Sequence, residues 1–382
     1  MDLPAREPLL RALVDICGPD FARTAGGADT VAGRRASFVA APATSHAVTD
    51  TMHLAIARGL AVVPRGSGSK IDWGTPPPGV DLLLDTARLA GIWKHDPPSM
   101  TAEIGAGTPI RAIQAALALR GHRLAVDPPS PTATLGGMLT LNETGPLRHR
   151  FGTAADQVNH ITYVTRNGHE ATSDGAEGRP GIAEIDGVIV SAQVRLQPLP
   201  AARRWVTAPV IAPRDIHDLV QDALTAQVAP SAIEIDLPAA PAPGSLAVLL
   251  EGSAEEVAER ANRLQRALKA PAAPTELPPG WWGRYPFSPS DVALRVEVPP
   301  ADLQAAVFAL RDVAGIPVPV RGAAGLGIVH AALPAGLGWE HIERVLDAVR
   351  GVLLARGGRC LAVAAPPQIS AELDMANRQD LS

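Results

Sequence analysis

Pro64-Arg65-Gly66-Ser67-Gly68-Ser69-Lys70 follows the short apolar run Leu60 to Val63 and breaks its pattern. A strand that enters such a loop leaves consecutive backbone N–H groups free to converge on an anion. Glycine lets that backbone come close, and the serine hydroxyls add donors without charge. The spacing is not the GxxxxGK[ST] of a Walker A loop. Nor is it a dinucleotide GxGxxG, because no helix start and ribose-binding acid follow in register. Taken alone, it also fits an ordinary hairpin loop.

A second segment, Asp127-Pro128-Pro129-Ser130-Pro131-Thr132-Ala133-Thr134-Leu135-Gly136-Gly137-Met138, leads into Asn142, Gly145 and Arg150-Phe151-Gly152. Its prolines predict a stiff, extended loop, and Gly136-Gly137 permits a close backbone approach to a flat ring or a phosphate. A tight turn beneath a core is the plainer alternative. The two segments together are far more specific than either.

Around them, strands and helices alternate. Apolar spacing predicts a helix from His46 to Gly59, strands at Leu60 to Val63 and Asp81 to Asp85, and a hairpin of Gly91 to Lys94 with Thr101 to Ile104. A helix from Ile110 to Arg120 stops at Gly121. Asn167-Gly168 marks a hairpin between Ile161 to Thr165 and Glu170 to Thr172, and Val188 to Leu196 is a further strand. The prolines of Gln197-Pro198-Leu199-Pro200 set a boundary between domains 1–200 and 201–382. Beyond it, strand Arg204 to Ile211, helix Asp215 to Ala226, strands Ala232 to Asp236 and Leu246 to Leu250, and helix Ala254 to Lys269 form one unit. After the linker Pro271 to Gly280 comes a similar series: strand Val292 to Val298, helix Ala301 to Ala314, strands Pro317 to Val320 and Leu326 to Ala331, helix Trp339 to Leu354, and strand Arg359 to Ala364. Two such units predict an antiparallel sheet backed by helices.

The chain has 382 residues, 46% of them hydrophobic and 19% charged, which suits a globular protein with a large core. A net charge of −5 and the lack of a dense Lys/Arg block argue against nucleic-acid binding. The start MDLPAREPLL is unlike a signal peptide, and no apolar run is long enough for a spanning helix, so the expected location is cytoplasmic. Cys17 and Cys360 lie at opposite ends with no CxxC or ligand cluster, so no metal or iron–sulfur site is expected in this chain. The Asn142-Glu143-Thr144 sequon carries no weight in that compartment.

On these residues the chain resembles the flavoproteins of the vanillyl-alcohol oxidase superfamily with a PCMH-type FAD domain, clearly so over roughly residues 35 to 200. Within that superfamily it is most similar to the smaller FAD-binding subunits of bacterial glycolate oxidases. The resemblance implies an α+β fold, with a two-subdomain PCMH-type FAD-binding domain followed by an α+β antiparallel-sheet domain of ferredoxin-like type. It implies that the loop Pro64 to Lys70 wraps the FAD pyrophosphate through backbone amides. Pro128, with Thr134-Leu135-Gly136-Gly137, would lie on the diphosphate and ribityl side. Asn142, Gly145, Phe151 and Gly152 would stand near the flavin, and Val188-Ile189 would be the strand that recognises adenine or ribose. Ser67 stands where some relatives carry a flavin-linking His, so the implied FAD is non-covalent. Relatives carry a longer stretch, with Lys-Asn and Gly-Tyr-Asp signatures, where this chain has only Asp174 to Asp186. The resemblance therefore implies a shortened flavin-side wall.

Oxidation of a 2-hydroxy acid needs a base or metal at the hydroxyl and a cation at the carboxylate. This chain has no HxxH or HxH. His330 is the best single candidate base, and Arg284 and Arg321 are candidate carboxylate clamps. Ordinary sheet and surface roles are the plainer readings of all three. Trp281-Trp282, Tyr285 and Phe287 concentrate aromatic residues that could line a flavin face, form a partner interface or fill a core. Three functions stay open. The first is an FAD-binding subunit of a glycolate-oxidase-like 2-hydroxy-acid dehydrogenase, working with a larger FAD-linked oxidase subunit and an iron–sulfur subunit, and peripheral to the inner membrane only through that complex. The others are a stand-alone FAD oxidoreductase of a small hydroxy acid or alcohol, and a cofactor-free scaffold.

Overall fold

Leu9, Leu13 and Cys17 recur at helical spacing along α1 (Leu3–Cys17) and are buried beside Phe38, Ala40 and Leu82. In this computed structural model residues 3–173, 185–239 and 242–376 are described. They divide into one unit of 3–143 with 153–199 and another of 144–152 with 200–376.

The first unit begins with α1, β1 (Ala22–Thr24), β2 (Thr30–Val31), β3 (Arg34–Arg35), β4 (Phe38–Ala40), α2 (Ser45–Ala57), β5 (Val62–Arg65) and β6 (Leu82–Asp85). These give a sheet of order β1-β4-β6-β5, parallel from β4 through β6 to β5. A parallel strand covered on both faces reads as a continuous apolar run. Leu82-Leu83-Leu84 does so, with Leu83 in one core cluster and Leu82 and Leu84 in others. Next come β7 (Ile92–Asp96), β8 (Thr101–Gly105), α3 (Ile110–Ala118), β9 (His122–Leu124) and α4 (Leu135–Thr140). The short helix α5 (Arg148–Phe151) belongs to the second unit. Strands β10 (Val158–Thr165), β11 (Glu170–Ser173) and β12 (Gly187–Pro198) complete an antiparallel sheet of order β11-β10-β12-β8-β7, with β9 on the end of β12. The hairpin at Asn167-Gly168 forms as expected, with Gly168 at φ +77°.

The second unit contains β13 (Ala202–Val210), α6 (Pro213–Thr225), β14 (Ala232–Leu237), β15 (Gly244–Gly252), α7 (Ala254–Ala267) and β16 (Ala273–Thr275). It continues through β17 (Asp291–Glu297), α8 (Leu303–Ala314), β18 (Val320–Ala323), β19 (Ile328–Pro334), α9 (Trp339–Leu354), β20 (Arg359–Ala364) and α10 (Pro367–Ser370). Its eight strands form one antiparallel sheet, β16-β13-β15-β14-β18-β19-β17-β20. Each half is a β-α-β-β-α-β run with its strands in the order fourth, first, third, second. The halves are mirrored and meet at their second strands, β14 and β18. The expected α+β, ferredoxin-like architecture is thus present in duplicate. Alternate residues such as Ile233, Ile235, Val329 and Ala331 face the helices α6 to α9 in one core. The strand expected at Pro317 to Val320 instead begins at Val320 and runs to Ala323. Pro317 and Pro319 have no N–H to give to a ladder.

Candidate functional site

Strand β5 runs parallel to β6, pairing Arg65 with Asp85, and then leaves the sheet as the loop at Gly66. The amides of Gly66, Ser67, Gly68 and Ser69 donate to no acceptor among the described residues. Gly68 has φ +74°. The loop lines a cavity of about 350 Å³, together with Thr86, Ala106, Thr134, Gly136, Gly137, Thr140, Leu141, Gly187 and Ile189. Consecutive unused amides around a cavity form a concave array of partial positive charge, which suits a phosphate. Gly66 closes against the second segment, where a Cβ would stand 2.2 Å from Thr134 Oγ1. At Gly136 a Cβ would stand 2.9 Å from the Ala106 Cβ.

The charged side chains of the loop are engaged behind it. Arg65 bonds Asp29 at 3.0 Å and Asp85 at 2.8 Å, while Arg23 approaches Asp29 at 2.7 Å. The Arg23 guanidinium, helped by the Gly26 amide and Arg65, holds the Asp29 carboxyl far below the usual carboxylate range despite its burial. Lys70 forms a buried ion pair with Glu143 and donates to Ser130 Oγ at 2.6 Å. Glu143 also accepts the Ser130 amide at 3.0 Å. Burial pushes the Lys70 ammonium down, and Glu143 opposes that shift. The expected anion contacts of this loop therefore fall to its backbone and serines, with Arg65 and Lys70 as braces. The bracing roles of Asp29, Asp85, Ser130 and Glu143 were not read from the sequence, although an acid at the end of Leu82-Leu83-Leu84 is a signal for a partner on the adjoining strand.

The extended loop expected through Gly137 gives way at Leu135 to the helix α4. Thr134 caps it, its hydroxyl accepting the Gly137 amide at 3.3 Å. The Leu135 and Gly136 amides bond Thr108 O and Ala106 O at 2.9 and 2.8 Å. This wall therefore offers the cavity its close-packed surface, with its leading amides already engaged. Thr134, Gly136 and Gly137 line the cavity, whereas Leu135 is fully buried in the core and Pro128 is half-buried outside the lining. Along β12, Gly187 and Ile189 face the cavity and Val188 points into the opposite core, as a period of two requires. Asn142 is outside the lining and accepts the Ala155 amide at 3.0 Å. Gly145, Phe151 and Gly152 belong to the second unit. Of the shortened wall, residues 174–184 lie outside the described residues, and Ile185 and Asp186 line the cavity.

In the second unit the helix-free sheet face aligns Ser245, Asp236, Arg321, His330 and Arg295 as directly opposed residues on five strands. Arg321 bonds Asp236 at 2.7 Å and the Tyr285 carbonyl at 3.1 Å. Arg295 is paired with Glu297 at 2.5 Å. His330 meets the edge of Tyr285 at 4.9 Å, and Trp281 donates to Ser245 Oγ at 3.0 Å. Trp282 packs beside Trp205 and Leu147 as core filling. Two of the three catalytic candidates are thus brought together, and Arg284 reaches the group through its carbonyl on Arg321 at 3.4 Å. Among the described residues no His/Cys/Asp/Glu group could hold a metal, and no helix is long and apolar enough to cross a membrane.

Residues 36–173 match the family model described as an FAD binding domain. Its free-amide loop and glycine-tight wall fit a dinucleotide pyrophosphate, and its fold is shared with the solved structures described below. The chain is 30% identical over 172 residues to the glycolate oxidase subunit GlcE of Escherichia coli (strain K12), covering 41% of this chain and 48% of that protein. It is 26% identical over 130 residues to the D-lactate dehydrogenase of Archaeoglobus fulgidus, covering 34% of this chain and 29% of that protein. It therefore spans less than half the length of these curated relatives. Among solved structures, p-cresol methylhydroxylase with substrate bound superposes with a TM-score of 0.71 at 12% identity, covering 94% of this chain and 89% of that one. Alkyldihydroxyacetonephosphate synthase gives 0.71 at 16% identity, covering 92% and 80%. At these identities the structural likeness speaks for the fold alone.

Proposed function

We propose that the chain is the FAD-binding subunit of a glycolate-oxidase-like 2-hydroxy-acid dehydrogenase, with Pro64 to Lys70 and Thr134 to Gly137 at the diphosphate. The observation that carries this reading is the run of unused amides from Gly66 to Ser69 on the cavity wall. Among the described residues the cavity lining contains no His, Cys or Tyr that could bond the flavin covalently, which supports non-covalent FAD. Bound FAD supplies a two-electron acceptor. This chain's residues bind and orient it, with Gly187 and Ile189 lining one side of its site.

An accessory role is favoured over independent turnover because Arg321 and Arg295 are both ion-paired, leaving His330 between neutralised cations. A substrate carboxylate would have to displace Asp236 or Glu297. In the complex, a larger FAD-linked subunit would oxidise the 2-hydroxy acid and an iron–sulfur subunit would take the electrons.

The test combines native mass spectrometry with rapid mixing. A non-covalent mass matching FAD is expected, with little flavin reduction by glycolate or D-lactate alone and rapid reduction once the larger subunit is added. A sample that takes up no FAD would overturn the cofactor reading. Full reduction without a partner would make the protein a stand-alone oxidoreductase.

A further inference from the structure

The second unit has a cavity of its own, about 280 Å³, at the sheet end where β13 passes into α6 and where β14 ends beside the start of β15. Its walls are proline and aliphatic, and Arg311 of α8 is the single charged residue among the described lining. Backbone carbonyls fix that guanidinium. Nε donates to Val318 O at 3.0 Å, and Nη2 donates to Leu237 O at 3.3 Å and Pro238 O at 3.2 Å. Among the described residues, Nη1 has no acceptor and no carboxylate pairs with Arg311. Burial pushes the Arg311 pKa down, as expected for a cation whose charge nothing nearby offsets.

Other donors are scarce there. Pro213, Pro238, Pro243 and Pro317 have no N–H. The amides of Ile211 and Ala212 are already taken by Asp215 Oδ2 at 3.0 and 2.8 Å. The one charged donor among the described lining residues is Arg311, whose Nη1 is left for a charged ligand group. A held guanidinium with donors to spare suits a carboxylate. The lack of a second cation among the described lining residues disfavours a doubly charged phosphate, part of whose charge would be buried unpaired. Val210 and Leu237 offer the remainder of the ligand an apolar bed.

We propose that this cavity is a binding site for a small monocarboxylate with an apolar body, its carboxylate on Arg311 Nη1 and its body against Val210, Leu237 and the prolines. The site shares no residue with the FAD cavity and does not rest on the proposed function.

The full-length protein as purified is titrated with butyrate, acetate and sulfate by ligand-observed NMR. Ile211 is 75% exposed, so Ile211→Glu sets a carboxylate at the cavity mouth and leaves the carbonyl bonds of Arg311 intact. Butyrate is expected to saturate one site, more tightly than acetate or sulfate, and to bind at least about tenfold more weakly to Ile211→Glu. Arg311→Gln should show the same loss. If that variant does not fold, Ile211→Glu decides alone. Absence of saturable butyrate binding, equal affinity for sulfate, or unchanged binding to Ile211→Glu would each overturn the proposal.

Discussion

Gly66 approaches Thr134 so closely that a side chain on the glycine would have to occupy the place of the threonine hydroxyl, 2.2 Å from the ideal Cβ position. The two cradle segments are in effect keyed together there. Gly66→Ala should push the loop off its partner and weaken FAD binding by about tenfold or more, equal to ~1.4 kcal/mol. Adding Thr134→Ala should restore part of the loss, because the next atom, the Thr134 Cβ, lies 3.4 Å away. Equilibrium dialysis with FAD on the single and double variants measures both effects. Equal affinity in Gly66→Ala and the native protein would contradict the contact.

Glu143→Leu leaves the Lys70 ammonium buried without its partner. Removing one member of a buried pair costs about 3–5 kcal/mol, whereas replacing both members by apolar residues is often nearly neutral. Urea unfolding should show a large loss for Glu143→Leu and a much smaller one for the double variant Lys70→Met/Glu143→Leu.

His149 sits in α5 with its ring against Gly325, whose added Cβ would lie 2.8 Å from the His149 Cε1. Among the described residues its buried Nδ1 has no hydrogen-bond partner, and burial pushes its pKa below the ordinary value. The unfolded chain therefore takes up a proton at about pH 6.5 that the folded protein resists. Stability should fall as pH drops below that point and level off only beneath the depressed folded value. Chemical denaturation at several pH values between neutrality and mild acid should show this slope, and His149→Gln should flatten it.

Cys17 and Cys360 are free and buried, and burial pushes the Cys360 thiol up to about 12. Burial also raises Cys17, against the Thr51 hydrogen bond. The thiolate is the reactive form. A disulfide reagent at mildly alkaline pH should therefore find almost no reactive thiol in the folded protein and both thiols after unfolding. Rapid labelling of the native protein would show that one of the two sites opens.

Elements with a strong period of their own were legible in the sequence. The helix Trp339–Leu354 and strand Arg359–Ala364 have the expected bounds, because Ile342, Val345, Leu346 and Val349 face one core with helical spacing. The cradle loop was legible only through its pairing with Thr134 to Gly137, since a glycine run after a strand taken alone also fits an ordinary hairpin loop. The braces were not. Asp29, Asp85 and Glu143 are ordinary acids until the fold brings each to a cation far away in sequence. Helix α4 was hidden by its glycines, which weaken a helix by about 1 kcal/mol each, and here a threonine cap and tertiary packing prevail. The prolines that marked the domain boundary could not show that 144–152 belongs with the later residues.

The mirrored sheet of the second unit has an unequal seam. Only three residue pairs join β14 to β18, against nine between β13 and β15. Each half closes most of its strand pairs locally, so loop entropy favours two early, separate folding events with the seam last. Asp236 and Arg321 lie in that seam, opposite one another and ion-paired. The bond that neutralises a candidate substrate clamp is therefore also the latch that makes one eight-stranded sheet out of two four-stranded ones. Any ligand that prised Arg321 from Asp236 would be pulling on the joint between the two halves.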